Sequence, residues 1–249
     1  MNAPTEQPTN PVIAPRAFPG LWASIGWVVL FFALQIVAGV VMFGVAMTMD
    51  NSGRGFAELS SDLKFLALPT IWGLVLASLI MLVSLWFYLR KADRVASIKL
   101  DRWSRLSAAN TIGLAVLAIG AGLAFNYAYA TYIVPDVEMQ ATLNALLKAI
   151  PETLPNNVLL FVAIAIIAPV LEEVLFRGLL QNSLANRMPT WAAILIASAI
   201  FGAAHLDITA FAPLMAMGIA FGFLYHKTGS LRVNIAMHVV NNAAAILLS

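Results

Sequence analysis

The chain has 249 residues, of which 61% are hydrophobic and only 10% are charged. A soluble domain is about half apolar and about a quarter charged, so this composition argues against a soluble fold. The absence of cysteine excludes disulfides, thiolate catalysis and cysteine-ligated metals, and a net charge of +2 without a long basic block argues against a nucleic-acid partner.

The amino-terminal segment, residues 1–19 (MNAPTEQPTNPVIAPRAFP), is polar and rich in proline, so we expect a disordered tail. The apolar run after it begins too late and is too long for a cleaved secretory signal. We therefore predict that this run is a retained membrane span.

Seven apolar stretches have the length, or nearly the length, of about 17–25 residues that a helix needs to cross a hydrocarbon core. The predicted spans are Leu21–Met47, Phe65–Leu89, Asn110–Val134, Asn157–Asn186, Thr190–Leu206, Phe211–His226 and Val233–Leu248. The segment Val137–Ile150 alternates apolar and polar residues at helical spacing, which predicts a helix at the membrane surface. The predicted fold class is all-α, a polytopic transmembrane helical bundle of about seven spans, between six and eight.

The chain shows no internal repeat, low-complexity segment or soluble domain. We divide it into the tail 1–19, the amino-terminal spans with the surface helix at 20–156, and a carboxy-terminal helical core at 157–249. Counting residues along the predicted spans places the connection Asp207–Pro213 deep in the bilayer, which predicts that it dips into the membrane.

Lysines and arginines in the connections predict the orientation. The side that holds the connection RKADRVASIKLDRWSR carries ten of them: Arg16, Arg90, Lys91, Arg94, Lys99, Arg102, Arg105, Arg187, Lys227 and Arg232. The opposite side carries three: Arg54, Lys64 and Lys148. Because basic connections stay in the cytoplasm, we predict a cytoplasmic amino terminus, in the inner (plasma) membrane if the source is a bacterium.

Three charges interrupt the fourth predicted span, in APVLEEVLFRGLLQ. Each costs about 2.5–3.5 kcal/mol at mid-helix, so all three must face protein or a watery cavity. Glu173 and Arg177 are four residues apart and predict an ion pair, whereas Glu172 lies about 100° around the helix and lacks that partner. The alternative is a single buried network that only fixes helix packing. Pro169 lies three residues before Glu172 and removes a backbone donor. Two interpretations are open: a helix kink beside a cavity, or a proline of the kind that membrane helices ordinarily tolerate.

Two further polar groups follow in apolar surroundings. His205 ends the run IFGAAH, and His238 and Asn242 share a helix face four residues apart in HVVNN. Each histidine alone is also compatible with a packing role. Helix counts place Glu172, His205 and His238 at a similar depth, so we expect them to meet.

This set of side chains supports peptide hydrolysis. Glu172 can take a proton from water, His205 can orient that water or share the proton, and His238 with Asn242 can donate hydrogen bonds to an oxyanion. Glu172, His205 and His238 are also compatible with a divalent metal such as zinc, although the H-E-x-x-H motif of zinc proteases is absent. No G-x-S-x-G motif is present either.

Three motifs follow one another on successive predicted helices. They are E-E-x-x-x-R at Glu172, Glu173 and Arg177, F-x-x-x-H at Phe201 and His205, and H-x-x-x-N at His238 and Asn242. In this order they resemble the motifs of the CPBP family, the CAAX-protease and bacteriocin-processing intramembrane endopeptidases, also called the Abi family. The resemblance covers about Asn157–Ser249.

The resemblance implies an α-helical bundle with a cavity open toward the cytoplasm. It implies the catalytic roles given above for Glu172, His205, His238 and Asn242, with Glu173 and Arg177, and Phe201 of the second motif, in support. The implied substrate is a membrane-associated peptide or protein, either a prenylated CAAX protein or a leader peptide, and the resemblance leaves a metal cofactor open.

Two other functions remain as alternatives. A proton-coupled transporter or channel also uses intramembrane carboxylates and histidines, but it predicts polar residues throughout the bundle. A non-catalytic immunity or scaffold protein would keep the helices without turnover, and the intact motifs argue against it. The sequence does not indicate an oligomeric state.

Overall fold

The protein is a bundle of helices, in a computed structural model that describes residues 18–248. The helices are α1 (Leu21–Met49), α2 (Leu63–Leu89), α3 (Ala108–Tyr132), α4 (Ala141–Ala149), α5 (Leu154–Ala185), α6 (Thr190–Ala204), α7 (Ile208–Thr228) and α8 (Leu231–Leu248). Short helical turns, Phe56–Leu59 and Ala92–Ser97, lie in two connections. The described part of the chain contains no strand, so the all-α prediction is confirmed. The predicted tail is residues 1–19, and all of it except Phe18 and Pro19 lies outside the described residues.

Each predicted span forms a helix, but the helices differ in reach. Within residues 18–248, five helices are long and apolar enough to cross a membrane: α1, α2, α3, α5 and α7. Helix α6 is apolar but has only 15 residues. That is about 22 Å, shorter than a hydrocarbon core of about 30 Å. Helix α6 alone is therefore too short to cross the hydrocarbon core of the bilayer.

Helices α6 and α7 form a close antiparallel hairpin. Glycine permits the approach at two points, since a Cβ atom at Gly202 would lie 2.8 Å from the carbonyl oxygen of Phe211, and one at Gly218 would lie 2.9 Å from Cβ of Ser198. Any larger residue at either position would push the two helices apart. The hairpin thus holds its tip, where His205 lies, in a fixed place.

The tip of this hairpin is shorter than the sequence predicted. Helix α7 begins at Ile208, and the Asp207 side chain accepts hydrogen bonds from the backbone N–H groups of Thr209 and Ala210. This is an ordinary N-cap. The predicted connection Asp207–Pro213 is therefore wrong, because most of it is the first turns of α7, with Pro213 inside the helix.

Helix α5 lies at the centre of the bundle and is distorted. Its segments Val162–Ile167 and Glu173–Gln181 are π-helical, and every residue of the second segment is buried. Proline lacks the N–H that an α-helix needs, and Pro169 lies between the two segments. The predicted distortion at Pro169 is present as a change of helix type.

The predicted surface helix is present as α4. Its Leu146 and Leu147 pack against a small core that includes Ala67 and Ile71 of α2. Its position at the membrane surface stays a prediction.

The predicted cytoplasmic connection between α2 and α3 is tied to the ends of α7 and α8. The backbone N–H of Leu231 donates to the carbonyl of Lys99 over 2.9 Å, and that of Arg105 donates to the carbonyl of Thr228 over 2.9 Å. The Arg232 guanidinium donates to the carbonyl of Leu100 over 2.6 Å. These bonds close this face of the bundle.

Candidate active site

The four predicted catalytic side chains line one cavity. This cavity has a volume of about 770 Å³ and is lined by Glu172, His205, His238 and Asn242. Cavities of about 300–1,000 Å³ are typical of ligand sites. The expected meeting of α5, the α6–α7 tip and α8 is thus present, while the catalytic roles of the residues stay predictions.

The cavity runs from the middle of the bundle toward the face opposite the basic connection. Its wall includes Gln140 and Leu143, which belong to the stretch between α3 and α5. The resemblance implied an opening toward the cytoplasm. The direction of this opening relative to the cytoplasm stays a prediction.

Glu172 faces the cavity and lies next to His238. Its Oε2 atom is 3.7 Å from Nε2 of His238, and its side chain is 17% exposed. This distance is too long for a strong hydrogen bond but leaves the carboxylate within reach of a small intervening molecule. The Glu172 carboxylate is therefore accessible from the cavity and close to an imidazole, as a general base for water must be.

Glu173 is fully buried and anchors a polar network. Its Oε1 lies 3.0 Å from Nη1 of Arg177, which confirms the predicted ion pair. The pair is a close approach of charges rather than an aligned hydrogen bond, since Nη1 of Arg177 makes none. Nδ2 of Asn234 donates to Oε2 of Glu173 over 2.9 Å and to the carbonyl of Phe221 over 2.8 Å.

Arg177 is enclosed by aromatic rings. Its guanidinium carbon lies 4.7 Å from the ring centre of Phe201 and 5.5 Å from that of Phe221. Its Nη2 donates to the carbonyl of Gly218 over 3.3 Å. The predicted supporting residue Phe201 thus covers the cation, and such contacts offset part of the cost of burying it.

His238 is held between the two glutamates. Its Nδ1 lies 2.9 Å from Oε1 of Glu173, and its ring stacks on Phe221 with centres 4.5 Å apart. A carboxylate that pairs with Arg177 can only accept, so Nδ1 of His238 carries the proton. Nε2 is left facing Glu172 and the cavity, and it donates to an oxyanion only when the ring carries a second proton.

His205 lies at the end of α6 with one nitrogen free. Its Nδ1 is 2.9 Å from the carbonyl oxygen of Phe201, and the two rings pack edge to face with centres 4.9 Å apart. A carbonyl can only accept, so Nδ1 donates and Nε2 of the neutral ring is left as a base. The exposed ring lies in the cavity wall, where it can reach water.

Asn242 supplies the donor that Pro169 lacks. The N–H of Ala168 bonds to the carbonyl of Ala163, five residues earlier. The next bond in this series would run from Pro169 to Ile164, but proline has no N–H. Nδ2 of Asn242 donates to the Ile164 carbonyl over 3.1 Å instead. The second N–H of this amide remains for a ligand in the cavity.

The metal set named from the sequence is Glu172, His205 and His238. Within residues 18–248, no group of three or more histidine, aspartate or glutamate side chains is placed so that it could hold a metal ion. The residues as arranged here do not fit a metal, so no chemical step below passes through one. Metal dependence stays an untested expectation.

Sequence reasoning missed several polar residues of the site. Asn234 lies four residues before His238, so its place on the same helix face was a usable signal. The bond from His238 to Glu173 was not predicted, because spacing along one helix does not show which side chain another helix presents. Gln35 and Ser78 line the cavity from α1 and α2 and carry no motif.

The fold is that of a polytopic membrane protein, and its carboxy-terminal helices carry the three motifs. Residues 154–244 match the family described as type II CAAX prenyl endopeptidase Rce1-like. The matched segment contains all residues of the three motifs, and this match confirms the resemblance to the CPBP proteins.

The chain is also similar in sequence to a protein whose name describes a membrane peptidase. The chain is 32% identical over 101 residues to the "Putative membrane peptidase YdiL" of Bacillus subtilis (strain 168). The similarity covers 41% of this chain and 41% of that protein, so it extends over less than half of each. No solved structure matches the chain at a significant level.

Proposed function

We propose that this protein is an intramembrane endopeptidase that hydrolyses a peptide bond with water activated by Glu172. The observation that carries the proposal is the position of Glu172, 3.7 Å from His238 on the wall of a cavity that His205 and Asn242 also line. Membership of residues 154–244 in the prenyl endopeptidase family supports the same reaction class.

Water activation uses the two groups that have a free acceptor. Glu172 removes a proton from water, and the resulting hydroxide attacks the carbonyl carbon of the scissile bond. Nε2 of His205, whose other nitrogen is held by the Phe201 carbonyl, orients the water or shares its proton. The proton then passes to the leaving nitrogen as the C–N bond breaks, so a carboxylate and an amine are released.

The tetrahedral oxyanion meets donors from α8. His238 and Asn242 line the cavity, so Nε2–H of a protonated His238 and the second N–H of the Asn242 amide are the proposed donors, each contributing about 10²–10³ in rate. Glu173 stabilises the protonated ring through Nδ1, since their atoms lie 2.9 Å apart. Arg177 and Asn234 in turn hold Glu173 in place.

The proposed substrate is a peptide segment of a membrane-associated protein. The cavity wall combines the polar site with apolar side chains from four different helices, among them Phe32, Ile71, Ile167 and Leu214. A prenylated CAAX protein and a leader peptide both present a peptide bond next to apolar groups. The proposed location is an integral one, in the inner (plasma) membrane if the source is a bacterium, with the amino terminus in the cytoplasm, as the basic connections predict.

The test compares the membrane proteome of cells that carry the wild-type protein with that of cells that carry Glu172→Gln. Peptides with newly formed termini are expected only with the wild type, at equal abundance of the two proteins. Identical termini in both would overturn the proposal. Flux of ions or solutes through the purified protein in liposomes would favour the transporter instead.

A further inference from the structure

Part of the cavity wall is contributed by helices that the family match does not include. Gln35 lies at the centre of α1, Ser78 lies in the interior of α2, and both line the cavity that holds Glu172. The family segment begins only at residue 154. These two polar side chains therefore lie outside the segment that matches the family.

The hydroxyl of Ser78 differs from its neighbours along α2. Thr70 and Ser84 each donate to the carbonyl four residues earlier, Leu66 and Ile80, over 2.8 Å. This is the usual way for a hydroxyl to be satisfied in a membrane helix. Ser78 makes no hydrogen bond with any residue in the 18–248 range, although its exposed fraction is only 8%. Its hydroxyl is thus left for the cavity.

The side-chain amide of Gln35, like the Ser78 hydroxyl, lacks a protein hydrogen-bond partner among the residues that the structure describes. A polar group withdrawn from water without a partner is costly, and polar side chains inside spans commonly mark functional positions. By contrast, the amides of Asn234 and Asn242 bond to protein atoms. The side-chain amide of Gln35 therefore has both its carbonyl and its NH₂ group available to bind a ligand in the cavity.

We propose that Gln35 and Ser78 form a subsite that binds the backbone of the peptide substrate beside Glu172, an inference that rests on the proposed function. A side-chain amide offers one carbonyl and one NH₂ group, which match the N–H and C=O of a peptide unit. A peptide drawn out of its helix and away from water needs such partners for its backbone. The subsite thus selects an extended segment by its main chain rather than by its side chains.

The experiment measures binding without turnover. Purified full-length Glu172→Gln protein is titrated in detergent with a fluorescent short peptide that ends in a farnesylated CAAX motif, and with the same peptide without the farnesyl group. Adding Ser78→Ala removes one hydrogen bond to the ligand and adding Gln35→Leu removes one or two, so each is expected to weaken binding of both peptides by about two- to tenfold.

The matched control is Ser84→Ala, the same change on the same helix, where the hydroxyl already bonds to Ile80. It should leave the affinity unchanged. Gln35→Leu should also leave the melting temperature unchanged or raise it, because no protein partner is lost. A large fall in melting temperature would show a packing role and overturn the subsite. Equal affinities with and without Gln35→Leu, including no measurable binding by either protein, would overturn it as well.

The two proposals fail in different ways. If the Glu172→Gln protein still cleaves substrates in the membrane proteome, the proposed function is wrong whatever the binding data show. If it is inactive and yet Gln35→Leu binds the peptides normally, only the subsite is wrong.

Discussion

Oε2 of Glu172 lies 3.7 Å from Nε2 of His238. The next residue, Glu173, contacts the other ring nitrogen over 2.9 Å. Consecutive residues of a helix point about 100° apart, so two adjacent acids can meet one imidazole on both of its nitrogens. This arrangement explains why the span carries a second glutamate in addition to the one that pairs with Arg177.

Replacing His205 should affect catalysis alone. Its ring is exposed, and its one hydrogen bond in the described structure goes to the Phe201 carbonyl. His205→Ala is therefore expected to lower the cleavage rate by about 10²–10⁴, the usual effect of losing a proton-transfer group. The melting temperature should stay within error of the wild type. Loss of folding in His205→Ala would show that the ring is a packing residue instead.

Replacing His238 should affect both cleavage and stability. The ring is buried, stacks on Phe221 and bonds to Glu173. His238→Ala leaves Glu173 short of a partner, and we expect the free energy of unfolding to fall by about 1–3 kcal/mol as activity is lost. Denaturation in detergent checks the first effect and a cleavage assay the second. An unchanged stability would mean that Glu173 does not depend on this ring.

Arg177 should be needed for folding more than for chemistry. Its guanidinium is buried and neutralises Glu173 at 3.0 Å. Arg177→Met leaves a buried carboxylate unpaired, which should cost about 3–5 kcal/mol in the free energy of unfolding. Because a neutral amide needs no counter-charge, the double variant Glu173→Gln/Arg177→Met should recover part of that loss.

The control for this prediction is Arg187→Met. Arg187 is exposed and donates to the Ser183 carbonyl, so its loss should change the stability by less than about 0.5 kcal/mol. If Arg177→Met were as mild as Arg187→Met, the buried ion pair would not stabilise the fold.

The tip that carries His205 should weaken in acid. Hydrogen bonds from the Thr209 hydroxyl and from the backbone N–H groups of Ala210, Gln140 and Thr209 lower the pKa of Asp207 below its ordinary value of 3.8. The stabilisation from a carboxyl with a lowered pKa is present above the ordinary value and is lost as the pH falls through the lower value in the folded protein.

The variant Asp207→Asn keeps an acceptor at the helix cap but does not titrate. We therefore expect its melting temperature to fall less than that of the wild type as the pH is lowered below about 4. Asp136→Asn, an exposed change in the α3–α4 connection, serves as the control. The same pH dependence for Asp207→Asn and wild type would show that the cap does not respond to acid.

Much of the helical framework follows from local properties of the sequence. Long apolar runs can bury their backbone only as helices in a membrane, so the spans were predictable to within a few residues. The Glu173–Arg177 pair follows from the spacing of four residues. The predicted start of α7 at Phe211 was three residues late, although Asp207 is a good N-cap residue.

The remaining features depend on which helix faces which. Nothing local shows that Asn242 meets the Ile164 carbonyl, since that contact requires α8 to pass the distorted turn of α5. The same holds for Gln35, a single amide in an apolar run, because its importance depends on a cavity that six other helices complete.

The central claim is that Glu172 activates water, and one comparison tests it most directly. Purified wild type, Glu172→Gln and the control Glu152→Gln, at an exposed acid of the α4–α5 connection, are assayed on a substrate identified from the membrane proteome. We predict equal melting temperatures for all three, full cleavage by the wild type and Glu152→Gln, and a rate for Glu172→Gln lower by about 10²–10⁴ or more. Cleavage by folded Glu172→Gln at the wild-type rate would contradict the account.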